Sequence, residues 1–145
     1  MSDELILTEE DQETFVPRDH DWLLLQLVNW AKLGIETGVT LCVGGQLVSG
    51  TLCSQKQYLE AMRSAFSANL KGSQAVAGAL DEAFASMLKS TAETDSLPQP
   101  NPKYIHLKDA RVFGGATAMP TAHGVWWRGR IAEVDGFHLG ALKSA

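Results

Sequence analysis

Hydrophobic residues recur along this chain in two periods, and the places where the period changes divide it into elements. The first patterned stretch is DHDWLLLQLVNWAKLG, residues 19 to 34. Asp19 or Asp21 can cap a helix there, and Gly34 can end it. Trp22, Leu23, Leu25, Leu27, Val28 and Trp30 cover most faces, leaving a polar strip at Gln26, Asn29 and Lys32. So wide an apolar arc does not suit a freely solvated helix; it must lie on a sheet or meet another subunit. Trp22 and Trp30 are expected to pack rather than to contact a ligand.

From Gly38 the period becomes two. Val39, Leu41 and Val43 alternate with Thr40 and Cys42, Gly44 and Gly45 supply a turn, and a second run follows through Leu52, which together predict a β-hairpin. Gly50 inside the second run marks a bend or a close backbone approach. The glycines match no phosphate-binding spacing. At Ser54 the sequence SQKQ has the form of a capping box, after which Tyr58, Leu59, Met62, Phe66 and Leu70 recur at helical spacing. Ser73 can cap a further helix with the stripe Val76, Leu80, Phe84, Met87 and Leu88. Residues 54–90 thus read as a helical hairpin, and TAETDSLPQPNP, residues 91–102, with three prolines, as an exposed linker. KYIHLKDARVF then alternates as a strand and GGATAMPTAHG reads as a loop. The final region divides into a strand VWWRGRIAEV, a tight turn at Asp135 and Gly136, and a last strand FHLGAL.

Length and charge narrow the class. A chain of 145 residues that is 45% hydrophobic can bury one sizeable core. Residues 1–21 hold eight acids against Arg18, a balance of −7 that leaves +2 for the rest of a chain whose net charge is −5. Residues 1–18 are therefore expected to form a solvated acidic arm, with residues 19–145 as a single domain. The opening MSDELILTEEDQ lacks the basic start of a secretory signal, and no apolar run reaches the length of a membrane span, so a cytoplasmic location is expected. Cys42 and Cys53 lack metal-ligand spacing and are expected as free thiols in the core or sheet.

The order helix, two strands, helical insertion, three strands resembles the Sm-like family. Gly45 and Gly50 followed by Leu52 fall where an Sm-like first motif has its glycines, IHLKDA (105–110) resembles the third strand, and RGRI (128–131) resembles the second motif. The resemblance implies an α+β fold: a small, strongly bent, five-stranded antiparallel barrel or sheet with an N-terminal helix and an inserted helical hairpin. Of an Sm-like base pocket only Arg128 is matched, since Lys56 and Glu60 stand at the other two positions. A net charge of −5 with no clustered basic stripe argues against nucleic acid. RNA binding is thus the alternative reading.

A longer likeness is carried by GVTLCVGGQLVSGTLCSQKQYLEAM (38–62), YIHLKDARVF (104–113) and WWRGRIAEVDGFHLGAL (126–142). Together these resemble the family of gas vesicle accessory protein U (GvpU). The resemblance implies a non-enzymatic cytoplasmic protein, associated with gas vesicles and acting in their assembly or clustering through contacts with shell or accessory proteins.

No nucleophile and base, carboxylate pair or metal cluster shows catalytic spacing, and no enzyme activity, cofactor or metal is expected. His106, His123 and His138 are expected as surface or strand histidines rather than metal ligands. Alternation in the last third places Val125, Trp127, Gly129 and Ile131 on one face and Trp126, Arg128, Arg130 and Ala132 on the other. Trp127 is expected in the core. Trp126, Arg128 and Arg130 then form an exposed aromatic and cationic row, a composition enriched at protein interfaces, and are the expected partner-binding residues. An ion pair of Arg128 with Glu133 or Asp135 stands as the competing reading. Open strand edges suggest a homo-oligomer.

Overall fold

The computed structural model describes residues 21–69, 72–95, 102–115 and 117–142. The acidic arm expected over residues 1–18 lies outside them. Helix α1 spans Trp22–Lys32. Asp21 caps it, its carboxylate accepting from the Leu23 and Leu24 amides at 2.9 and 3.4 Å. Gly34 ends it at φ +89°, which a side chain would resist. Strands β1 (Gly38–Val43) and β2 (Gln46–Cys53) form the expected hairpin. Its turn glycines, Gly44 and Gly45, both have positive φ, as a two-residue hairpin loop requires.

Ser54 and Gln57 close the capping box in both directions. The Gln57 amide donates to the Ser54 hydroxyl and the Ser54 amide to the Gln57 side chain, each at 3.1 Å. Helix α2 (Gln55–Asn69) follows, and α3 (Gln74–Asp95) returns along it. Phe66 and Phe84 meet at 5.4 Å between ring centres, and Arg63 grips Asp81 with two bonds of 2.6 and 2.7 Å. The hairpin is as expected except at its end. Helix α3 continues five residues past the expected boundary at 90, through TAETD, because the helix-breaking prolines begin only at Pro98.

Strand β3 (Tyr104–Gly114) pairs along β2, β4 (Thr117–Met119) and β5 (Val125–Arg130) both pair with β3, and β6 (Val134–Leu139) pairs with β1. The sheet is antiparallel, and its order is β4-β3-β2-β1-β6 with β5 beside β3. The α+β class is as expected. Of the expected five-stranded barrel or sheet, the open sheet is the form observed, with six strands rather than five: among the described residues β5 and β6 do not pair, and the segment expected to be all loop contributes the short β4.

The expected turn at Asp135 and Gly136 is also replaced. Both residues lie inside β6, and the corner is a 3-10 turn at Ile131–Glu133. The reason is topological. The chain must leave the edge of β3 and reach the edge of β1, and Ile131, buried in the core, pins that crossing. Asp135 contributes instead by accepting from the Gly44 amide at 3.2 Å.

One face of the sheet carries Val39, Leu41, Val48, Leu52, Ile105 and Leu107, and against it lie Leu24, Leu25, Leu27, Val28 and Ala31 of α1. β2 and β3 approach so closely at Gly50 that a Cβ there would stand 2.9 Å from the Lys108 carbonyl oxygen. Both cysteines are free, Cys53 buried and Cys42 half-buried. The opposite face holds a buried polar pair, Thr40 and Ser49, 3.1 Å apart. The chain end satisfies it: Thr40 donates to the Gly140 carbonyl at 2.9 Å, and the Leu142 amide donates to Ser49 at 2.6 Å.

Candidate functional site

The site is built on the pairing of β3 with β5. Tyr104 faces Arg130, His106 faces Arg128, Ile105 faces Gly129 and Leu107 faces Trp127. Opposed residues share a face, so Tyr104, His106, Arg128 and Arg130 point away from the core while Trp127 points into it. Trp127 packs on the core as expected, and its ring lies over Gly129, where any Cβ would collide with it. A bulky indole on one residue thus requires glycine two positions on.

Trp126 remains 39% exposed, and Arg128 and Arg130 are both exposed. The two arginines are held differently. The Arg128 guanidinium sits 4.1 Å above the centre of the Tyr104 ring, a cation–π contact that fixes its position while leaving its donors available. Arg130 makes the ion pair, at 3.1 Å to Glu133. The ion-pair reading of Arg128 is therefore corrected by one turn of the alternation: the acid lies beside Arg130, and Asp135 is engaged by Gly44.

Arg128 also borders an open cavity of about 360 Å³ between β5 and the helical hairpin, lined with Gln55, Leu59, Ser86, Met87, Ser90 and Thr91. Gln55 donates to Thr91 across it at 3.2 Å. The row therefore continues into a groove with hydroxyl, amide and thioether walls. Reading the strand alone missed this groove and Tyr104, because each depends on which strand lies beside β5.

His106 lies beneath this surface at 4% exposure, 5.0 Å from the Tyr58 ring, and its Nε2 has no partner. It is a strand histidine on β3, as expected, but a buried one rather than a surface one, because α2 covers this part of β3. Burial, with the Arg128 charge adding to it, pushes its pKa down to about 4. Cys53 stands opposite His106 in the pairing of β2 with β3. A cysteine beside a histidine can be a nucleophile and base, but burial here pushes the thiol up to about 12. A neutral thiol and a neutral imidazole suit packing, not thiolate chemistry. Among the described residues, no three His, Cys, Asp or Glu side chains converge as a metal site would require.

The two other tryptophans depart from expectation. Trp22 is 70% exposed and Trp30 is also exposed, since the buried side of α1 is formed by Leu24, Leu25, Leu27, Val28 and Ala31. No helix among the described residues is long and apolar enough to cross a membrane.

Comparison with known proteins agrees with the motifs of the strands. No curated protein and no solved structure matches the chain. A family model described as "Gas vesicle protein GvpU-like" matches residues 21–142, from the cap of α1 to the last described residue of the C-terminal segment. The chain belongs to the GvpU-like family of gas vesicle proteins.

Proposed function

We propose that this protein is a non-enzymatic gas vesicle accessory protein of the cytoplasm, which acts in vesicle assembly or clustering by binding shell or accessory proteins. Its contact face is the outer side of β5 with the adjoining groove. The observation that carries this reading is Arg128, held on Tyr104 between an exposed Trp126 and a cavity of about 360 Å³. An aromatic anchor beside a pre-positioned guanidinium is the composition that dominates protein interfaces, and the guanidinium offers a fork to a carboxylate of the partner. The protein works as a homo-oligomer, with neither cofactor nor metal in its task.

RNA binding is less well supported. Glu133 already neutralises Arg130, and a chain of net charge −5 has little to set against phosphates. The testing experiment exploits buoyancy. Purified protein is mixed with isolated gas vesicles and centrifuged, and the floating layer is assayed for protein. Wild type is expected to float with the vesicles, and the double substitution Trp126→Ala and Arg128→Ala to remain below with its fold intact. Equal flotation of both proteins would reject this face, and salt-sensitive capture of single-stranded RNA by wild type would favour the alternative.

A further inference from the structure

The outer side of α1 is the largest anomaly left by the fold. Trp22 and Leu33 are 70% and 74% exposed, and Leu23, Trp30 and Ile35 are exposed beside them. At 3.6 residues per turn, Trp22, Leu23, Gln26, Trp30 and Leu33 fall within an arc of about 100°, opposite the side that lies on the sheet. No Asp, Glu, Lys or Arg lies within that arc, and Gln26 is its central polar group.

We infer that this face is covered by the same face of a second copy, the two α1 helices packing antiparallel about a twofold axis. Three observations select a second copy over other occupants. The stripe is self-complementary on reversal, with apolar residues at both ends and an amide between. Antiparallel packing brings Leu23 of one copy beside Leu33 of the other, Gln26 beside Trp30, and Trp22 over Gly34, where no atom would lie within 4 Å of a side chain. The area is sufficient. Taking about 200 Å² for a large side chain, the exposed fractions amount to on the order of 500 Å² per copy, which with Gln26 and the rim approaches the roughly 800 Å² of a standard interface. Charge agrees as well. The segment before α1 carries seven of the acids in residues 1–20, which makes it a poor cover for an uncharged apolar face. In this antiparallel register the two Asp21 residues that open the helices stand about 21 Å apart along the axis, beyond a Debye length at physiological salt.

This dimer gives a surface to the self-association within the proposed function and is independent of the vesicle-binding face. Sedimentation equilibrium of the full chain tests it. Wild type is expected to be a dimer at micromolar concentration. Trp22→Ser with Leu33→Ser is expected to raise the dimer dissociation constant thirtyfold or more, on the order of a hot-spot loss, with unchanged circular dichroism and a thermal midpoint that no longer rises with protein concentration. Gln26→Glu and Gln26→Lys are each expected to weaken the dimer, and their equimolar mixture to restore it as a heterodimer. A monomeric wild type, an oligomer indifferent to these substitutions, or a mixture no tighter than its parts would overturn the inference. Flotation of the Trp22→Ser, Leu33→Ser variant with vesicles separates the two readings: the monomer still floating leaves the β5 face standing whatever sedimentation shows.

Discussion

His106 offers a quantitative test of how α2 sits on the sheet. Its ring is 4% exposed beneath Tyr58, beside the Arg128 charge and opposite the neutral Cys53 thiol. Burial first, and Arg128 second, lower its pKa from 6.5 to about 4. Below pH 6.5 the unfolded chain takes up a proton that the folded chain refuses. Stability is therefore full above pH 6.5 and falls as the pH drops from there towards 4. At 1.36 kcal/mol per pKa unit, the whole interval costs about 3 kcal/mol, most of it spent by pH 4.5. Glu36, whose pKa is lowered first by Lys108 and then by Gln57, acts in the same direction, but only as the pH falls below its ordinary value of 4.5. The window from pH 6.5 to 4.5 thus isolates the histidine. The perturbation is His106→Leu, which fills the site with an apolar side chain and removes the titration. The assay is urea unfolding at pH 7.5 and 4.5 for both proteins. Wild type is expected to lose roughly 2 to 3 kcal/mol between the two pH values, and the variant to lose much less. Equal losses in both proteins would refute the burial of His106 under α2.

Other perturbations probe the rest of the account. Gly129→Ala forces a methyl into the space of the Trp127 ring and is expected to destabilise by about 1 to 3 kcal/mol, read as a lower thermal midpoint; an unchanged midpoint would mean that the indole does not lie over Gly129. Asp21→Ala removes the cap of α1 at a cost of about 1 kcal/mol in urea unfolding, a loss that Asp21→Asn should largely avoid. Cys53, with its thiol pushed up to about 12, should resist iodoacetamide at pH 8 in the native protein and react on unfolding; rapid native labelling, followed by peptide mass spectrometry, would place the end of β2 in solvent.

What could be read from the chain was mostly local. Asp21, Ser54 with Gln57, the Gly44-Gly45 turn and the close approach at Gly50 each follow from a residue type acting on its own backbone, and each stands where its pattern put it. The alternation that puts Trp127 inside and Trp126 and Arg128 outside is of the same kind. Asp135 and Gly136 show where such reasoning gives out. The pair has the chemistry of a hairpin turn, but the crossing from β3 to β1 places the corner four residues earlier, at the buried Ile131. His106 has the parity of an exposed strand residue and is buried because a distant insertion folds over it. Trp22 belongs to the wide apolar arc of α1, only one side of which lies on the sheet, and the period alone does not say which side the sheet takes. Tyr104 and the groove became visible only once β3 and β5 were neighbours.

The central claim is that the protein meets its partner through the outer side of β5, and hydrogen exchange of the full chain with and without isolated gas vesicles tests it most directly. The account predicts slowed exchange at residues 125–130 and along the groove walls at 55–59 and 86–91, with the hairpin turn at 44–45 unchanged. Protection confined to that turn, or no protection at 125–130 when the vesicles are saturated with protein, would contradict it.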